Sequence, residues 1–265
     1  MTNNSKVIIF LFFCAIFIDH NKIYANEIIF NTSEIRITDN GNTTNAGAGS
    51  AYSKVDNIKI EGQSFKFEKN SSILTANNAK VTLSKKNIEI IADQLIYDQK
   101  ISTVQALGNV EIKNLSNNII LKSEEAIYNK NEENILSNVS STLIDKNGNN
   151  LITEKFSYTL NDNLLKISNA KIVDIQNNTY YIESAFLNLV TNKLIGKDIS
   201  IDFNSLAENN EPRLSGKTVA SDKNKTVIEK GVFTTCKKND DCPPWEFLAS
   251  KITHNKKKQT INYEN

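Results

Sequence analysis

Ala92–Asp98 reads ADQLIYD and Ala106–Ile112 reads ALGNVEI, and both phrases return about every 30 residues. The first recurs as SEEAIYN at Ser123–Asn129, TEKFSYT at Thr153–Thr159 and ESAFLNL at Glu183–Leu189, with Tyr97, Tyr128, Tyr158 and Leu189 in one slot. The second recurs as LSNVSSTL at Leu136–Leu143, ISNAKIV at Ile167–Val173 and LIGKDISI at Leu194–Ile201, with a weaker copy, LTANNAKV, at Leu74–Val81. A fixed period of this size means stacked supersecondary units rather than one core closed around a cleft. Within each phrase apolar residues fall at every second place, as in Leu95/Tyr97, Val110/Ile112 and Phe156/Tyr158. That is the period of a strand with one buried face. Asn, Asp, Lys and Gly fill the gaps, and Asn and Gly tolerate the positive φ of tight turns. The expected fold is all-β: antiparallel strands stacked into two facing sheets, each rung pairing only with its neighbours.

Outward from this repeat, Glu27–Thr38 alternates as a first strand and Asp39–Ser50, DNGNTTNAGAGS, reads as a polar, Gly-rich loop. Asn87–Ile91 and Gln94–Tyr97 read as separate short strands. Pro is absent until Pro212, which fits strands paired on both sides. Ala207–Lys225 is polar and reads as a loop or a less regular last rung; strand alternation resumes and is still running at Asn265, which predicts a continuation. At the other end Lys6 precedes the apolar run Val7–Ile18, and Ile23-Tyr24-Ala25 offers a cleavage site. Residues 1–25 thus read as a secretory signal peptide, the apolar run being too short to span a bilayer. The expected division is 1–25 signal, 26–206 repeat domain and 207–265 last rungs and junction.

Composition excludes more than it assigns. The formal net charge is +1, so nothing favours nucleic acid or an anionic membrane surface as partner. Past the signal, His254 is the one histidine, which leaves no basis for a His-rich metal site or a hydrolase triad. No cofactor is expected. Gly216-Lys217-Thr218 resembles the end of a phosphate loop, but Glu211 stands where its first glycine belongs. Glu124/Glu125 and Glu132/Glu133 fall at strand starts and turns, where solvated charge is the ordinary explanation, and one tryptophan makes a poor sugar-stacking groove. A carbohydrate-active β-solenoid enzyme is the weakest reading. What remains is the apolar face. Leu95, Tyr97, Val110, Ile112, Tyr128, Phe156, Tyr158 and Phe186 are its candidate lining, either as a dry core or as an open groove for an apolar ligand.

The two phrases resemble the OstA-like repeat of lipopolysaccharide transport proteins, over about Ile28 to Phe203. Downstream, Gly231–Ala249, GVFTTCKKNDDCPPWEFLA, and the following SKITHN are similar to the junction of the outer-membrane lipopolysaccharide-assembly protein (LptD family). Thr234, Cys236, Trp245, Ser250, Ile252 and His254 match that phrase. The resemblance implies a β-jellyroll on the periplasmic side of the outer membrane that passes lipopolysaccharide to a barrel. It implies a periplasmic bridge protein, joined by edge-strand addition, and a plug lipoprotein inside the barrel. It also implies a disulfide from Cys236 to the barrel; with Cys242 nearby and five residues between the two, a local bridge or two bridges to the barrel are alternatives. A stand-alone bridge protein of the LptA type shares the repeat and is the alternative reading.

Overall fold

The computed structural model of the protein describes residues 28–144, 148–204, 210–237, 245–258 and 260–265. The signal-peptide reading lies outside them. One sheet of 21 strands runs through the described residues, and its pairings are antiparallel throughout. Six short strands open it: β1 (Ile28–Thr32), β2 (Ile35–Thr38), β3 (Thr43–Ala46), β4 (Gly49–Ser53), β5 (Ile58–Gly62) and β6 (Ser64–Glu68). Four long strands follow, β7 (Ile73–Leu83), β8 (Ile88–Asp98), β9 (Thr103–Asn114) and β10 (Ile119–Asn129). Two rungs are then split in half, into β11 (Asn134–Ser137) with β12 (Ser141–Ile144) and β13 (Asn150–Thr153) with β14 (Lys155–Thr159). Long strands resume with β15 (Leu164–Val173), β16 (Thr179–Asn188), β17 (Lys193–Asp202), β18 (Arg213–Ser221), β19 (Lys225–Thr234) and β20 (Phe247–Asn255), and β21 (Thr260–Glu264) pairs with β20.

The chain is a zigzag whose true step is half the sequence period. Asn57, Ser72, Asn87, Ser102, Asn118, Glu133, Gly148, Asn163, Asn177 and Asn192 all have positive φ, and they fall 14–16 residues apart along the numbering. Each closes a turn between neighbouring strands, where a left-handed residue completes the reversal. The turns stack in two columns. In one column the carbonyls of Ser72, Ser102, Glu133 and Asn163 accept the backbone N–H of Gln99, Lys130, Leu160 and Leu189, at 3.1, 3.1, 2.9 and 2.9 Å. In the other, Asn87 O accepts Leu115 N–H at 2.8 Å.

Each long strand bends at its middle, and the bend is written in the second phrase. Asn78, Asn109, Asn169 and Asp198 occupy its Asn/Asp position, and each has φ between 43° and 51°. On β8 and β10 the bend is made by a register shift, between Ile91 and Gln94 and between Ser123 and Glu125. The extra residue flips the alternation, so Ile88, Ile90 and Ala92 are buried before the bend and Leu95 and Tyr97 after it. Both halves of these long strands therefore turn apolar side chains to the same interior. Gly108 sits at one bend with φ +72°, and a Cβ there would meet Asp93 Oδ2 at 2.6 Å. The result is one sheet folded lengthwise into two facing leaves, with the bends as its spine and the two turn columns as its free margins.

Three expectations change in detail. Asn87–Ile91 and Gln94–Tyr97 are halves of one strand, β8, because a bulge bends a strand without ending it. Asp39–Ser50 is a 3-10 turn followed by β3 and the start of β4 rather than a loop; Thr43–Ala46 gains its ladder from Phe65–Glu68, far along the chain. Within Ala207–Lys225, Arg213–Ser221 forms a regular strand paired on both sides.

Candidate functional site

The two leaves enclose one apolar interior. Seven of the eight candidate lining residues meet there: Leu95, Tyr97, Val110, Ile112, Tyr128, Phe156 and Tyr158 are 0–4% exposed. Val110 and Ile112 come from the leaf that ends at turns 84–87 and 115–118. The other five come from the leaf that ends at turns 99–102, 130–133 and 160–163. Burying side chains of this size contributes roughly 1.5–3 kcal/mol each. Over these rungs the interior is closed. Phe186 is the exception: it is 45% exposed, with Lys166 Nζ 5.7 Å from its ring centroid. Its neighbours Ala185 and Leu187 carry the inward phase. The turn after β16 begins at Leu189, so the residue homologous to Tyr97 is Leu187, not Leu189. Ala185, not Phe186, then stands where Phe156 does, and that one-residue offset puts Phe186 on the opposite face.

The free margins meet along a seam, and its first crossing carries the densest fastening among the described residues. At the first crossing Asp56, 5% exposed, accepts hydrogen bonds from Tyr97 Oη at 2.5 Å, Ser102 Oγ at 3.0 Å and Lys130 Nζ at 2.9 Å. Burial, then the Asp56 carboxylate, push the Tyr97 hydroxyl well above its ordinary pKa. Burial, then Glu133 and Asp56, push Tyr128 up to about 12. At the second crossing Lys86 pairs with Glu133 at 3.3 Å and bonds Asn161. Both charged groups are partly exposed, where an ion pair is worth far less than a buried one. At the third crossing Asn114 Nδ2 donates to Tyr158 Oη at 2.7 Å, and Tyr158 donates in turn to Asn163 at 3.3 Å. Burial raises the Tyr158 pKa and the Asn114 bond opposes it. The seam thus carries an ion pair on a buried carboxylate at its first crossing, a partly exposed ion pair at the second and a neutral hydrogen bond between buried groups at the third.

The interior reaches the surface beside the last rungs. Phe203, Leu214, Phe233, Ile252, Ile261 and Tyr263 line an apolar cavity of about 280 Å³. The junction residues stand next to it. Thr234 is buried and its hydroxyl donates to Trp245 O at 2.9 Å while accepting Cys236 N–H at 3.2 Å. Arg213 Nη1 donates to Cys236 O at 2.5 Å. Trp245 packs on Phe233 at 6.1 Å between centroids. Ser250 Oγ donates to Glu264 O at 2.8 Å, Ile252 is buried, and His254 pairs with Thr226 and Ile261 in the ladder. Thr234, Cys236 and Trp245 therefore form one clasp across the β19–β20 connection, while Ser250, Ile252 and His254 hold the last strands. Cys236 is buried; Cys242 lies outside the described residues, and so does the pairing expected of it.

Elsewhere the chemistry is sparse. Gly216-Lys217-Thr218 lies inside β18, and a Cβ at Gly216 would meet Ile228 Cγ2 at 2.2 Å. Close packing against β19 is what that glycine serves. Among the described residues no three His, Cys, Asp or Glu side chains gather as metal ligands do. At the opposite end of the stack β1 pairs with β4 alone and β2 with β3 alone, which leaves each with an unpaired edge among the described residues. The Asp56 cluster was not legible in the sequence: its partners lie 41 to 74 residues away, and no local pattern marks it.

No family model matches the chain, and no curated protein does. Among solved structures the chain is similar to LptH of Pseudomonas aeruginosa, described as the LptA-homologous periplasmic component of a lipopolysaccharide transport device. The identity is 13% and the TM-score 0.35, over 39% of this chain and 76% of that one.

Proposed function

We propose that this chain is a periplasmic lipid-transport module that carries lipopolysaccharide, holding the acyl chains between its two leaves. The observation that carries the reading is the continuous apolar interior, supplied by both halves of the long strands and opening among Phe203, Leu214, Phe233 and Tyr263. A lipid crossing an aqueous compartment needs such cover. Exposing one ~12-carbon chain to water costs roughly 10 kcal/mol at about 0.8 kcal/mol per methylene. Because the interior is closed along the first rungs, loading requires the margins to part along the seam, and the second and third crossings, which lack an ion pair on a buried carboxylate, are where parting costs least. The role is non-enzymatic.

The junction phrase at Thr234–His254 favours a module joined to an outer-membrane barrel, with residues 26–206 as the jellyroll and 207–265 as the last rungs before it. On that reading lipid enters from a bridge protein docked on the open edges of β1 and β2 and leaves past the clasp of Thr234, Cys236 and Trp245. A plug lipoprotein would be met through the barrel. Fractionation of the cell envelope separates this from a stand-alone bridge protein: the barrel-linked form travels with the outer membrane, the bridge with the soluble periplasm.

Photo-crosslinking tests the lipid role. Probes at Tyr97, Tyr128 or Phe156 are expected to label lipopolysaccharide, and probes at Gln94 or Lys155 on the other face are not. Equal labelling of the two faces refutes the interior as the path.

A further inference from the structure

A cleft opens at the second and third crossings of the seam. It measures about 660 Å³ and lies between turns 84–87 and 115–118 on one margin and turns 160–163 and 189–192 on the other. Its floor is apolar, from Ile119, Leu160 and Leu189, all buried and part of the interior. Its walls are carboxamides and two lysines, with no carboxylate among the described lining residues. Four of the asparagines, Asn87, Asn118, Asn163 and Asn192, are explained by their left-handed turn positions. Asn117 is not. Its φ is not positive, and both polar atoms of its side chain are shielded from solvent with no hydrogen-bond partner. A buried amide with neither end bonded is unfavourable unless something satisfies it. Lys85 stands exposed beside it with no ion-pair partner among the described residues, and Lys86 bonds across the cleft.

We infer that this cleft binds a phosphorylated sugar, the headgroup of the lipid whose acyl chains pass beneath it. The inference rests on the lipid-transport reading for its source and on the cleft alone for its chemistry. Carboxamides both donate and accept, which suits neighbouring sugar hydroxyls; lysine supplies the point charge that a phosphate seeks. The position fits an amphiphile: polar walls at the margin, apolar floor opening inward. A ligand seated here would also bridge the two turn columns where no ion pair on a buried carboxylate holds them.

The test uses the full chain and isothermal titration with deacylated, phosphorylated saccharide prepared from lipopolysaccharide. Its dephosphorylated form, glucosamine 1-phosphate and inorganic phosphate serve as comparison probes. Asn117→Asp keeps the side-chain shape and sets a negative charge against phosphate; Lys85→Glu does the same from an exposed position. Each is expected to weaken binding of the phosphorylated saccharide by about tenfold, the scale of one hydrogen bond to a charged group. Dephosphorylation of the ligand is expected to weaken it as much. Parent-like affinity in both variants overturns the site. Equal affinity for glucosamine 1-phosphate keeps the site but moves its ligand to free sugar phosphates. Interior photo-labelling by intact lipopolysaccharide separates the two readings. Labelling without saccharide binding overturns the cleft and leaves the channel; saccharide binding without labelling keeps the cleft and overturns the channel.

Discussion

Asp56 and Lys130 offer a quantitative test of how the seam is fastened. The Asp56 side chain is 3% exposed and Lys130 31%, and the carboxylate accepts three hydrogen bonds, from Lys130, Tyr97 and Ser102. Lys130→Met leaves a buried carboxylate held only by two hydroxyls. The loss of one charge-assisted bond plus the unpaired charge puts the cost at about 3 kcal/mol. Asp56→Asn strands an ammonium that still reaches water, so its cost is smaller, about 2 kcal/mol. The double variant removes both charges and the penalty of an unpaired one. Its cost is expected to fall short of the summed single costs by about 1–2 kcal/mol, as for residues in one network. The assay is urea unfolding followed by circular dichroism, with all four proteins at one pH and salt concentration. Additivity within about 0.5 kcal/mol would mean that the pair is not energetically coupled, and the seam would lose its strongest fastening.

Further outcomes follow from the same geometry. Tyr97, Tyr128 and Tyr158 have folded-state pKa values raised above the ordinary value, mainly by burial, so the fold keeps their protons where the unfolded chain releases them. That stability is intact below about pH 10 and falls as pH climbs past it, by about 1.4 kcal/mol per pH unit for each tyrosine. Unfolding midpoints in urea should therefore drop steeply above pH 10, and less steeply in Tyr97→Phe; a flat profile to pH 12 would contradict the burial. Gly216→Ala is expected to destabilise by about 1–3 kcal/mol through overpacking, since its Cβ would lie 2.2 Å from Ile228 Cγ2. Ile228→Ala in the same chain should recover part of the loss, and no recovery would point to another cause. Ile167→Ala, at a site 0% exposed, should cost about 2–5 kcal/mol. Phe186→Ala should stay within about 0.5 kcal/mol; similar costs for the two would restore Phe186 to the interior.

Much of this architecture is legible in the residues, and the rest is hidden for physical reasons. The recurring Tyr slot and the Asn of the second phrase mark an inward position and a bend, because burial and positive φ each restrict residue choice. The half-period is hidden because its left-handed turn position accepts Asn, Ser, Glu and Gly alike, at Asn57, Ser72, Glu133 and Gly148. The two halves of β8 read as separate strands because the bulge inverts the alternation at the point where continuity would have to be seen. Phe186 reads as an inward residue because the last copy of the phrase is one residue out of phase, and apolar identity alone does not report a face. The seam is the least legible element. Its contacts join residues 41 to 75 positions apart, and only the folded sheet brings them together.

The central claim is that lipid enters the interior by parting the seam. The direct measurement replaces Lys86 and Asn161 by cysteine in a chain carrying Cys236→Ser and Cys242→Ser, and bridges them with a short bis-maleimide. A photo-crosslinker at Phe156 then reports lipopolysaccharide in the interior. The account predicts labelling in the unbridged protein and its loss when the bridge is in place, with the fold unchanged by circular dichroism. Undiminished labelling across a closed bridge would contradict it.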